Sequence, residues 1–382
     1  MRTDPLASVS IPVRLGIVQR VLPVYRVPFF EALAEACPAG LGIFAGQPRP
    51  EEAIRTAKSL EKARLFPAQN RHYFQHKLYL CAQFGMVDWL DDWQPNVLIL
   101  EANPRYLSTP SAVRWMQRRQ RPVIGWGLGA PPASGAFSSL HKAARRRFLQ
   151  QFDALLTYSQ AGAAQYAALG YPEQRIFIAP NAVTPRPTTA PPLRPANRSR
   201  LTVLFSGRLQ ARKRVDALLQ ACARLPAGLQ PRLVIIGDGP ERPALQTLAQ
   251  NIYPTAEFPG ALYGEDLLPF LEQADLFVLP GTGGLAVQQA MGAALPVIVA
   301  EADGTQADLV RPDNGWLIPP ADQAALTTTL AEALSNLPRL RRMGIASYDR
   351  ISDEINLEAM VAAFARAVAC VLGGTDAYST GG

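Results

Sequence analysis

The chain has 382 residues, of which 48% are hydrophobic and 18% are charged. This length is more than one ordinary domain needs, and the composition is typical of a soluble globular protein with large cores. The net charge of +7 is uneven: the first 186 residues hold 22 Lys and Arg against 12 Asp and Glu, and the remainder holds 16 against 19. Anionic partners are expected, but nucleic acid is not, because no aromatic–basic nucleic-acid-binding module occurs.

Neither a metal nor a cofactor is expected. The four cysteines are scattered without a CxxC or Cys/His cluster, which predicts buried thiols in a reducing compartment; they are Cys37, Cys81, Cys222 and Cys370. His72 and His76 have helical i,i+4 spacing, but no Asp or Glu pattern completes a metal site.

Residues 1–12 lack the apolar run of a signal peptide, and the uncharged stretch 276–300 is broken by prolines and glycines. A cytoplasmic protein is therefore predicted.

Short apolar segments alternate with helical segments through residues 1–183. Apolar spacing and Pro28 predict a helix at 26–34, and another is expected at 111–119. Strands are predicted at 13–19, 40–45, 96–101, 122–126, 154–158 and 175–180. This alternation is typical of a parallel sheet covered by helices on both faces.

The segment 184–200 contains five prolines and almost no large apolar side chains, which is typical of an inter-domain linker. The alternation then restarts, with strands at 201–205, 232–236, 275–279 and 296–300 and helices at 216–224, 241–249 and 285–293. The predicted organisation is a first domain at 1–183, the linker, a second domain at 201–355, a helix at 356–372 that could return to the first domain, and a disordered tail at 373–382. The predicted fold class is α/β, with two Rossmann-like, doubly wound domains facing each other across a ligand-binding cleft.

Two loops of the second domain carry residues suited to an anion. In one, Gly207 ends a strand and lets a ligand approach the backbone, while Arg208 and Lys213 supply two cations across the turn. In the other, Gly281-Thr282-Gly283-Gly284 follows a strand and opens a helix at Leu285, so that amide groups and the helix dipole favour negative charge. Together the loops predict a diphosphate site; a solvated basic turn and an ordinary tight turn are the alternatives.

The segment 201–334 resembles the C-terminal domain of the family 4 retaining glycosyltransferases, which have the two-domain GT-B architecture. The matching motifs follow the family's order and spacing: Gly207-Arg208 with Lys213, Ile236-Gly-Asp-Gly-Pro240, Phe258-Pro-Gly260, Ala274-Asp275, Gln289-Ala-Met291, Leu295-Pro-Val-Ile298 and Asn314-Gly-Trp-Leu317. The first half resembles the family more loosely, through Tyr25-Arg-Val-Pro-Phe-Phe30, Ser159 and Pro180-Asn-Ala-Val183.

The resemblance implies a role for each matching residue. Arg208 and Lys213 would hold the donor diphosphate and stabilise the leaving group, and the turn Gly283-Gly284-Leu285 would bind phosphate or sugar oxygens through its backbone. Gly260 and Leu262 would flank the nucleobase. The remaining donor-side positions are Gly207, Gly237, Gly281 and Thr282. No cofactor is implied, because the nucleotide sugar is the donor substrate.

Several positions depart from the family pattern. Members usually have two glutamates eight positions apart, one for the sugar hydroxyls and one for the ribose, and here these positions are Gly281 and Gln289. Gln289 can still hydrogen-bond a ribose diol, whereas glycine cannot replace a carboxylate. Leu128 stands where members often have a histidine, and Arg214 where glycine is common. A different donor sugar or an impaired enzyme would follow from these changes.

Strand ends of the first domain are expected to face the acceptor. The acceptor-side candidates are Gln19, Arg20, Trp126, Gly127 and His141. For His141, on a helix, the alternative is a surface histidine. Glu101 is hypothesised to contact the acceptor hydroxyl, with a structural turn carboxylate as the alternative. Basic clusters at 114–121 and 142–147 suggest peripheral contact with the anionic inner face of the cell membrane, with a solvated helix face as the alternative.

The functional prediction is a glycosyltransferase that moves a sugar, with retention, from a nucleotide-diphosphate donor to a glycan or lipid-linked acceptor in polysaccharide or cell-envelope biosynthesis. Two alternatives stay open. A nucleotide-sugar epimerase of the same architecture needs several carboxylates and histidines, and this chain has three histidines in all. A non-catalytic nucleotide-sugar-binding scaffold is compatible with Gly281 and Leu128, whereas the Arg208/Lys213 pair argues against it.

Overall fold

A computed structural model of the chain describes residues 9–52, 54–74, 78–131 and 138–373. These residues form two compact units. The first contains the described residues up to Pro185 together with those from Leu357 onward, and the second spans Arg186–Asn356. Each unit is built on a parallel sheet whose strands alternate with helices.

The first unit contains nine strands. They are β1 (Leu15–Val21), β2 (Leu41–Gly46), β3 (Arg64–Pro67), β4 (Gln69–Tyr73), β5 (Leu80–Phe84), β6 (Val97–Glu101), β7 (Val123–Gly127), β8 (Ala154–Thr157) and β9 (Ile176–Ile178). Seven of them form one sheet in the order β3-β2-β1-β6-β7-β8-β9, with every neighbouring pair parallel. The strands β4 and β5 pair antiparallel as a separate two-stranded ribbon, here named the β4–β5 ribbon.

Five helices accompany these strands. They are α1 (Val27–Glu35), α2 (Met86–Trp93), α3 (Thr109–Gln117), α4 (Ser138–Leu149) and α5 (Gln160–Ala168). In α1, Pro28 occupies the first turn, where a missing N–H removes no helical hydrogen bond. The central strands β1, β6, β7 and β8 are buried along most of their length, as expected for a parallel sheet covered on both faces.

The second unit has a six-stranded sheet. Its strands are β10 (Thr202–Ser206), β11 (Arg232–Ile236), β12 (Glu257–Gly260), β13 (Leu276–Leu279), β14 (Val297–Ala300) and β15 (Gly315–Ile318). Its helices are α6 (Val215–Arg224), α7 (Arg242–Ile252), α8 (Leu268–Gln273), α9 (Leu285–Gly292), α10 (Gln306–Leu309), α11 (Gln323–Leu334) and α12 (Leu337–Asp353). The order β12-β11-β10-β13-β14-β15 reverses between β10 and β13, and ligands bind at such reversal points in doubly wound sheets.

The last helix, α13 (Leu357–Val371), packs in the core of the first unit. The ring of Phe364 lies 5.0 Å from that of Phe29 in α1 and 4.9 Å, edge-on, from that of Trp126 in β7. The Leu357 N–H donates to the Thr184 carbonyl at 3.0 Å, which joins the start of the helix to the end of the first unit's main segment. The chain therefore completes the first unit only after the second has been traversed.

The proline-rich segment is bonded to the second unit through arginines. Arg194 donates to the carbonyls of Ala274 and Leu271 at 2.9 and 2.8 Å, and burial followed by repulsion from Arg341 lowers its pKa to about 10. The buried Asp275 accepts from Arg341 at 2.7 Å and from the Thr202 N–H at 2.8 Å, and it pairs with Arg198 at 3.5 Å. One buried carboxylate thus joins the segment, β10, β13 and α12.

The structure confirms the α/β class and the strands predicted for both halves, with small shifts at their ends. No element was predicted between residues 46 and 95, where β3, the β4–β5 ribbon and α2 lie. His72, which has helical spacing to His76 in the sequence, belongs to the strand β4. His76, and the predicted tail from residue 374, lie outside the described residues.

Replacing Asp275 by Ala should lower the free energy of unfolding of the second unit by about 3–5 kcal/mol, because Arg341 and Arg198 lose a buried counter-charge. Urea titration followed by hydrogen–deuterium exchange in peptides from β10 and β13 measures this change. The exposed Asp266 supplies the control: Asp266→Ala should change the stability by less than about 0.5 kcal/mol. Equal effects of the two substitutions would contradict the role given to Asp275.

Candidate functional site

Three glycines line the carboxyl ends of neighbouring strands in the second unit. Gly207, Gly237 and Gly260 follow or end β10, β11 and β12, and all have positive φ angles of 152°, 143° and 100°. The Gly207 N–H donates to the Ile236 carbonyl at 3.0 Å, and the Gly237 N–H to the Gly260 carbonyl at 2.7 Å. A Cβ on Gly237 would lie 1.9 Å from the Gly207 oxygen. These strand ends therefore expose backbone, with no room for a side chain at Gly237.

The cationic loop leaves β10 directly after Gly207. Arg208 is exposed at the strand end, and the next residue, Leu209, is buried and donates its N–H to the Asp238 carbonyl at 2.9 Å. A short 3-10 helix, Ala211–Lys213, then leads to Arg214, which precedes α6 with φ +55°. The left-handed backbone at Arg214 explains why glycine suits this position.

This loop is bonded to the glycine turn that follows β13. Lys213 Nζ donates to the Thr282 carbonyl at 2.6 Å, and Arg212 Nη1 to Thr282 Oγ1 at 2.9 Å. In return, the Thr282 N–H donates to the Arg212 carbonyl at 3.0 Å. The two loops are thus in direct contact through Arg212, Lys213 and Thr282, and their binding of a diphosphate stays a prediction. The predicted approach of Arg208 to Lys213 stays a prediction.

The space around residue 281 has room for glycine but not for a side chain. A Cβ at this position would lie 2.2 Å from the Arg212 oxygen and 2.6 Å from the Lys213 carbonyl carbon. These are backbone atoms, which cannot rotate away as a side chain can. The loop Ala211–Lys213 therefore occupies the volume that a carboxylate-bearing side chain would need. The absence of glutamate at 281 follows from the packing of this loop.

The electrostatics of the site favour an anion. Burial, followed by repulsion from Arg212, lowers the pKa of Lys213 to about 8. Among the described residues, neither Arg212 nor Lys213 forms an ion pair with a carboxylate. Gly284 immediately precedes the eight-residue α9, whose free N–H groups add partial positive charge beside the two side chains. A diphosphate would stabilise the charged form of Lys213 and supply acceptors to these donors.

The remaining donor-side residues are placed as follows. Gly283 has φ +149°, and its carbonyl accepts from Gln306 Nε2 at 3.1 Å. Leu285 is the first residue of α9, and Gln289 is exposed on the same helix. Leu262 is half-buried, two residues beyond β12. Contacts of Gln289 with a ribose and of Leu262 with a base stay predictions.

Polar side chains meet at the carboxyl ends of β1 and β6 in the first unit. Glu101 Oε1 accepts from the Arg20 N–H at 2.6 Å, and Arg20 Nη1 donates to Glu52 at 2.8 Å. Burial and the neighbouring Glu101 raise the pKa of Tyr106. Gln19 is buried, and its carbonyl accepts from Gln83 of β5 at 3.0 Å. Glu101 therefore makes a structural contact with the Arg20 backbone, as in the alternative interpretation of this residue. One of its two carboxylate oxygens accepts this hydrogen bond.

The side chain of Trp126 lies in the aromatic core of the first unit. Trp126 is 2% exposed and is enclosed by Phe29, Tyr158 and Phe364. Alternation along β7 directs this side chain into the core, and a contact of Trp126 with an acceptor stays a prediction. A Cβ on Gly127 would lie 2.7 Å from the Tyr166 hydroxyl, so this glycine is needed for packing.

The described histidines, His72 and His141, both belong to the first unit. His141 is exposed on α4, in agreement with a surface histidine. His72 bonds the Tyr79 hydroxyl at 2.9 Å and the Gln47 carbonyl at 3.2 Å. Leu128, at the position where a histidine was expected, is 56% exposed. Within the described ranges, no group of three or more His, Cys, Asp or Glu could hold a metal, and no helix is both long and apolar enough to cross a bilayer.

Sequence reasoning missed several residues of these two regions. Arg212 was overlooked although it adjoins Lys213, and its position in the basic run was the available signal. Gln306 carries no such signal, because its contact with Gly283 joins residues 23 positions apart. In the first unit, Asn70 of the β4–β5 ribbon donates to the Arg20 and Gln47 carbonyls at 2.7 and 2.9 Å. That contact depends on a ribbon that no pattern predicted.

Comparisons with known proteins identify sequences and folds similar to this chain. The model of the glycosyl transferase 4-like domain matches residues 16–182, and that of the group 1 glycosyl transferases matches residues 200–336. A lipopolysaccharide core biosynthesis glycosyltransferase, LpsE of Rhizobium meliloti, is 23% identical over 309 residues, covering 74% of this chain and 87% of that protein. A GDP-mannose-dependent alpha-mannosyltransferase of Mycolicibacterium smegmatis is 40% identical over 152 residues, 37% of this chain and 36% of that protein. The first curated relatives are matched over about half of their own length, 48% and 49%.

Solved structures show the same fold. The apo form of the lipopolysaccharide outer core galactosyltransferase WaaB has a TM-score of 0.68 at 16% identity, over 93% of this chain and 99% of that chain. Anabaena Alr3699/HepE in complex with UDP has a TM-score of 0.66 at 13% identity, over the same shares of the two chains. The sequence-based prediction of the GT-B fold is confirmed.

Substituting Gly281 by Ala should disturb the site, because the added Cβ must displace the Arg212–Lys213 backbone. We expect a loss of about 1–3 kcal/mol in the stability of the second unit, measured by urea unfolding. Gly284 is the matched control in the same turn, since its Cβ would meet only the Leu309 side chain at 3.7 Å. A Gly281→Ala protein as stable as Gly284→Ala would show that the loop can yield.

Proposed function

We propose that this chain, which belongs to family 4 of the glycosyltransferases, transfers a sugar from a nucleotide-diphosphate donor to a glycan or lipid-linked acceptor. The observation that carries the proposal is the bonding of Lys213 and Arg212 to the glycine turn at the point where the strand order of the second sheet reverses. Cations, free helix N–H groups and exposed backbone together suit a diphosphate next to a sugar. The solved complex of HepE with UDP supports the same choice of ligand.

In the proposed reaction, Arg208 and Lys213 stabilise the charge that develops on the leaving diphosphate as the bond to the sugar breaks. The turn Gly283-Gly284-Leu285 binds phosphate or sugar oxygens through its backbone. The departing phosphate can take the proton of the acceptor hydroxyl, so that retention requires no dedicated base. This is compatible with the exposed Leu128 at the position where a histidine was expected.

The acceptor would bind to the first unit, at the carboxyl ends of β1 and β6. Glu101, whose carboxylate accepts from the Arg20 N–H and lies beside Tyr106, is the residue proposed to contact an acceptor hydroxyl. Relatives named for lipopolysaccharide core biosynthesis support a role in the cell envelope. Exopolysaccharide or other cell-envelope glycans are therefore the proposed products.

A non-catalytic nucleotide-sugar-binding protein is the second candidate. The packing of Gly281 against loop backbone favours it, because a carboxylate for the sugar hydroxyls cannot be accommodated there. A binder of this kind would hold the nucleotide diphosphate without transferring the sugar. Binding measurements combined with release of the nucleotide from a nucleotide sugar separate the two candidates.

Calorimetric titration with UDP and with GDP should reveal micromolar binding of one of them. Replacing both Arg208 and Lys213 by Ala should weaken that binding by at least about 100-fold, since two charge-assisted contacts are lost. Arg224→Ala/Arg342→Ala, which removes two exposed arginines, is the charge-matched control and should leave affinity unchanged. Equal affinities of the wild-type protein and the Arg208→Ala/Lys213→Ala variant would place the nucleotide elsewhere and refute the donor site.

The pH dependence of the same titration tests Lys213 individually. Because the pKa of Lys213 in the free protein is about 8, the lysine loses its proton as the pH rises through 8, and the anion then binds more weakly. Affinity should fall about tenfold between pH 7 and pH 9. Lys213→Arg keeps its charge over this range and should give a flat profile. The same slope in both proteins would exclude Lys213 as the titrating group.

Peripheral contact with an anionic membrane is proposed for α4. In this helix Lys142, Arg146 and Arg147 are exposed beside Leu140, which is 66% exposed. The other basic cluster is less available: Arg119 stacks 3.8 Å over Trp115 and pairs with Asp91 at 3.1 Å. The structure thus favours α4 over the end of α3 as the surface that would meet the bilayer.

Flotation with vesicles containing about one-third anionic lipid tests this proposal. Reversing the charge of Lys142, Arg146 and Arg147 to Glu should abolish salt-sensitive binding, since each basic residue contributes about 1 kcal/mol near such a surface. A triple reversal at the scattered, exposed Lys58, Arg224 and Arg342 changes the net charge equally and should leave binding in place. If the two triple variants bind alike, overall charge rather than α4 accounts for the effect.

A further inference from the structure

Arg26 is a cation enclosed by aromatic side chains of the first unit. It ends a short 3-10 helix, Val24–Arg26, that follows β1. Its guanidinium carbon lies 4.7 Å from the ring centroid of Trp126 and 5.4 Å from that of Tyr158, and Nη2 donates to the Tyr158 hydroxyl at 2.7 Å. An arginine stacked in this way keeps its charge.

Two hydrogen-bond donors in this cluster have no acceptor. Arg26 Nη1 and Trp126 Nε1 are both buried, and neither has a partner among the described residues. No carboxylate of the described residues forms an ion pair with Arg26, although nine other arginines of the described ranges pair directly with Asp or Glu at 3.5 Å or less. A buried donor without an acceptor costs about 1–3 kcal/mol, and more when it is charged. An acceptor from outside the chain would remove this cost.

The surroundings of Arg26 define the chemistry of that acceptor. Arg26 is only partly buried, and the adjacent Tyr25 is 44% exposed, so the cluster lies next to the surface of the first unit. The planar guanidinium binds carboxylate or phosphate oxygens through parallel N–H groups, whereas a neutral hydroxyl leaves the charge uncompensated. Arg26, Trp126 and Tyr158 lie at or beyond the carboxyl ends of β1, β7 and β8, the edge where ligands of parallel sheets bind.

We propose that Arg26, together with Trp126 and Tyr158, forms a binding site for an oxyanion, a phosphate or a carboxylate, in the first unit. The site would hold an anionic group of the acceptor substrate; this identification of the ligand rests on the proposed function, whereas the existence of the site does not. The phosphate of a lipid-linked acceptor and the carboxylate of an acidic sugar share the required chemistry.

Binding of inorganic pyrophosphate and of glucuronate to the Arg208→Ala/Lys213→Ala variant tests the site, because the donor loop cannot contribute in that background. Glucose is the neutral control and should not bind. Adding Arg26→Gln, which removes the charge and keeps a side chain of similar length, should weaken anion binding at least about tenfold. Preference for pyrophosphate would indicate a phosphate-bearing acceptor, and preference for glucuronate an acidic sugar.

The indole N–H resonance of Trp126, assigned with Trp126→Phe, provides a second measurement on protein with Arg26 intact. We expect it to shift on addition of the bound anion, with a midpoint equal to the calorimetric dissociation constant. Absence of both the shift and any anion binding, or equal anion affinity with and without Arg26, would overturn the proposal. The part of UDP or GDP binding that is lost in the Arg208→Ala/Lys213→Ala variant reports on the donor loop, so failure there is distinguishable from failure at Arg26.

Discussion

In the second unit, two loops meet backbone against backbone at the point where the strand order reverses. The Thr282 N–H donates to the Arg212 carbonyl, Lys213 Nζ donates to the Thr282 carbonyl, and Gly281 leaves no room between the loops for a Cβ. This contact determines the character of the site. It brings the cationic loop onto the turn that opens α9, and it also excludes a carboxylate from position 281. The anion-binding groups and the loss of the acidic residue therefore have one cause.

The net negative charge of residues 187–382 gives no indication of this locally positive site. The second unit holds most of its arginines in ion pairs, including Arg232 with Glu257, Arg311 with Glu354, and Arg341 with Asp275. These pairs use its acidic residues in structural roles, whereas Arg212 and Lys213 form ion pairs with none of those described. A net charge of −3 for residues 187–382 is thus compatible with a site that prefers anions, because charge is partitioned between structural pairs and the loops.

Sequence patterns within short windows were sufficient to predict elements whose structure depends on neighbouring residues. Strand alternation, Pro28 in α1 and the glycine turn after β13 are all visible in short windows, and the structure confirms the elements that they predicted. Contacts between distant segments were not accessible in this way. The ribbon strand β4 reads Gln-Asn-Arg-His-Tyr, with no apolar alternation, so nothing in its sequence distinguishes it from a loop. The proline-rich segment likewise gives no sign that Asp275, about 80 residues later, holds it through Arg198.

Residues at strand ends were the least predictable, since one residue of displacement exchanges the core face for the ligand-binding edge. Trp126 precedes the last residue of β7, and its indole packs in the core, whereas Arg26 reaches the same aromatic cluster from beyond β1. From the sequence, an indole at a strand end is expected to contact a ligand. In the structure the ring of Trp126 instead packs against the guanidinium of Arg26. The motif Tyr25-Arg-Val-Pro-Phe-Phe30 was read only as a family resemblance, although its arginine has the more informative contacts.

The two enclosed cations differ in how burial acts on them. Lys213 can release its proton, and burial lowers its pKa to about 8, so an anion bound there depends on the pH near neutrality. Arg26 cannot be deprotonated in this range, and its charge is stabilised instead by the faces of Trp126 and Tyr158. A ligand held by the lysine is therefore released as the pH rises, whereas one held by the arginine is not. Substrate groups bound at these two positions would respond to pH separately, although both carry negative charge.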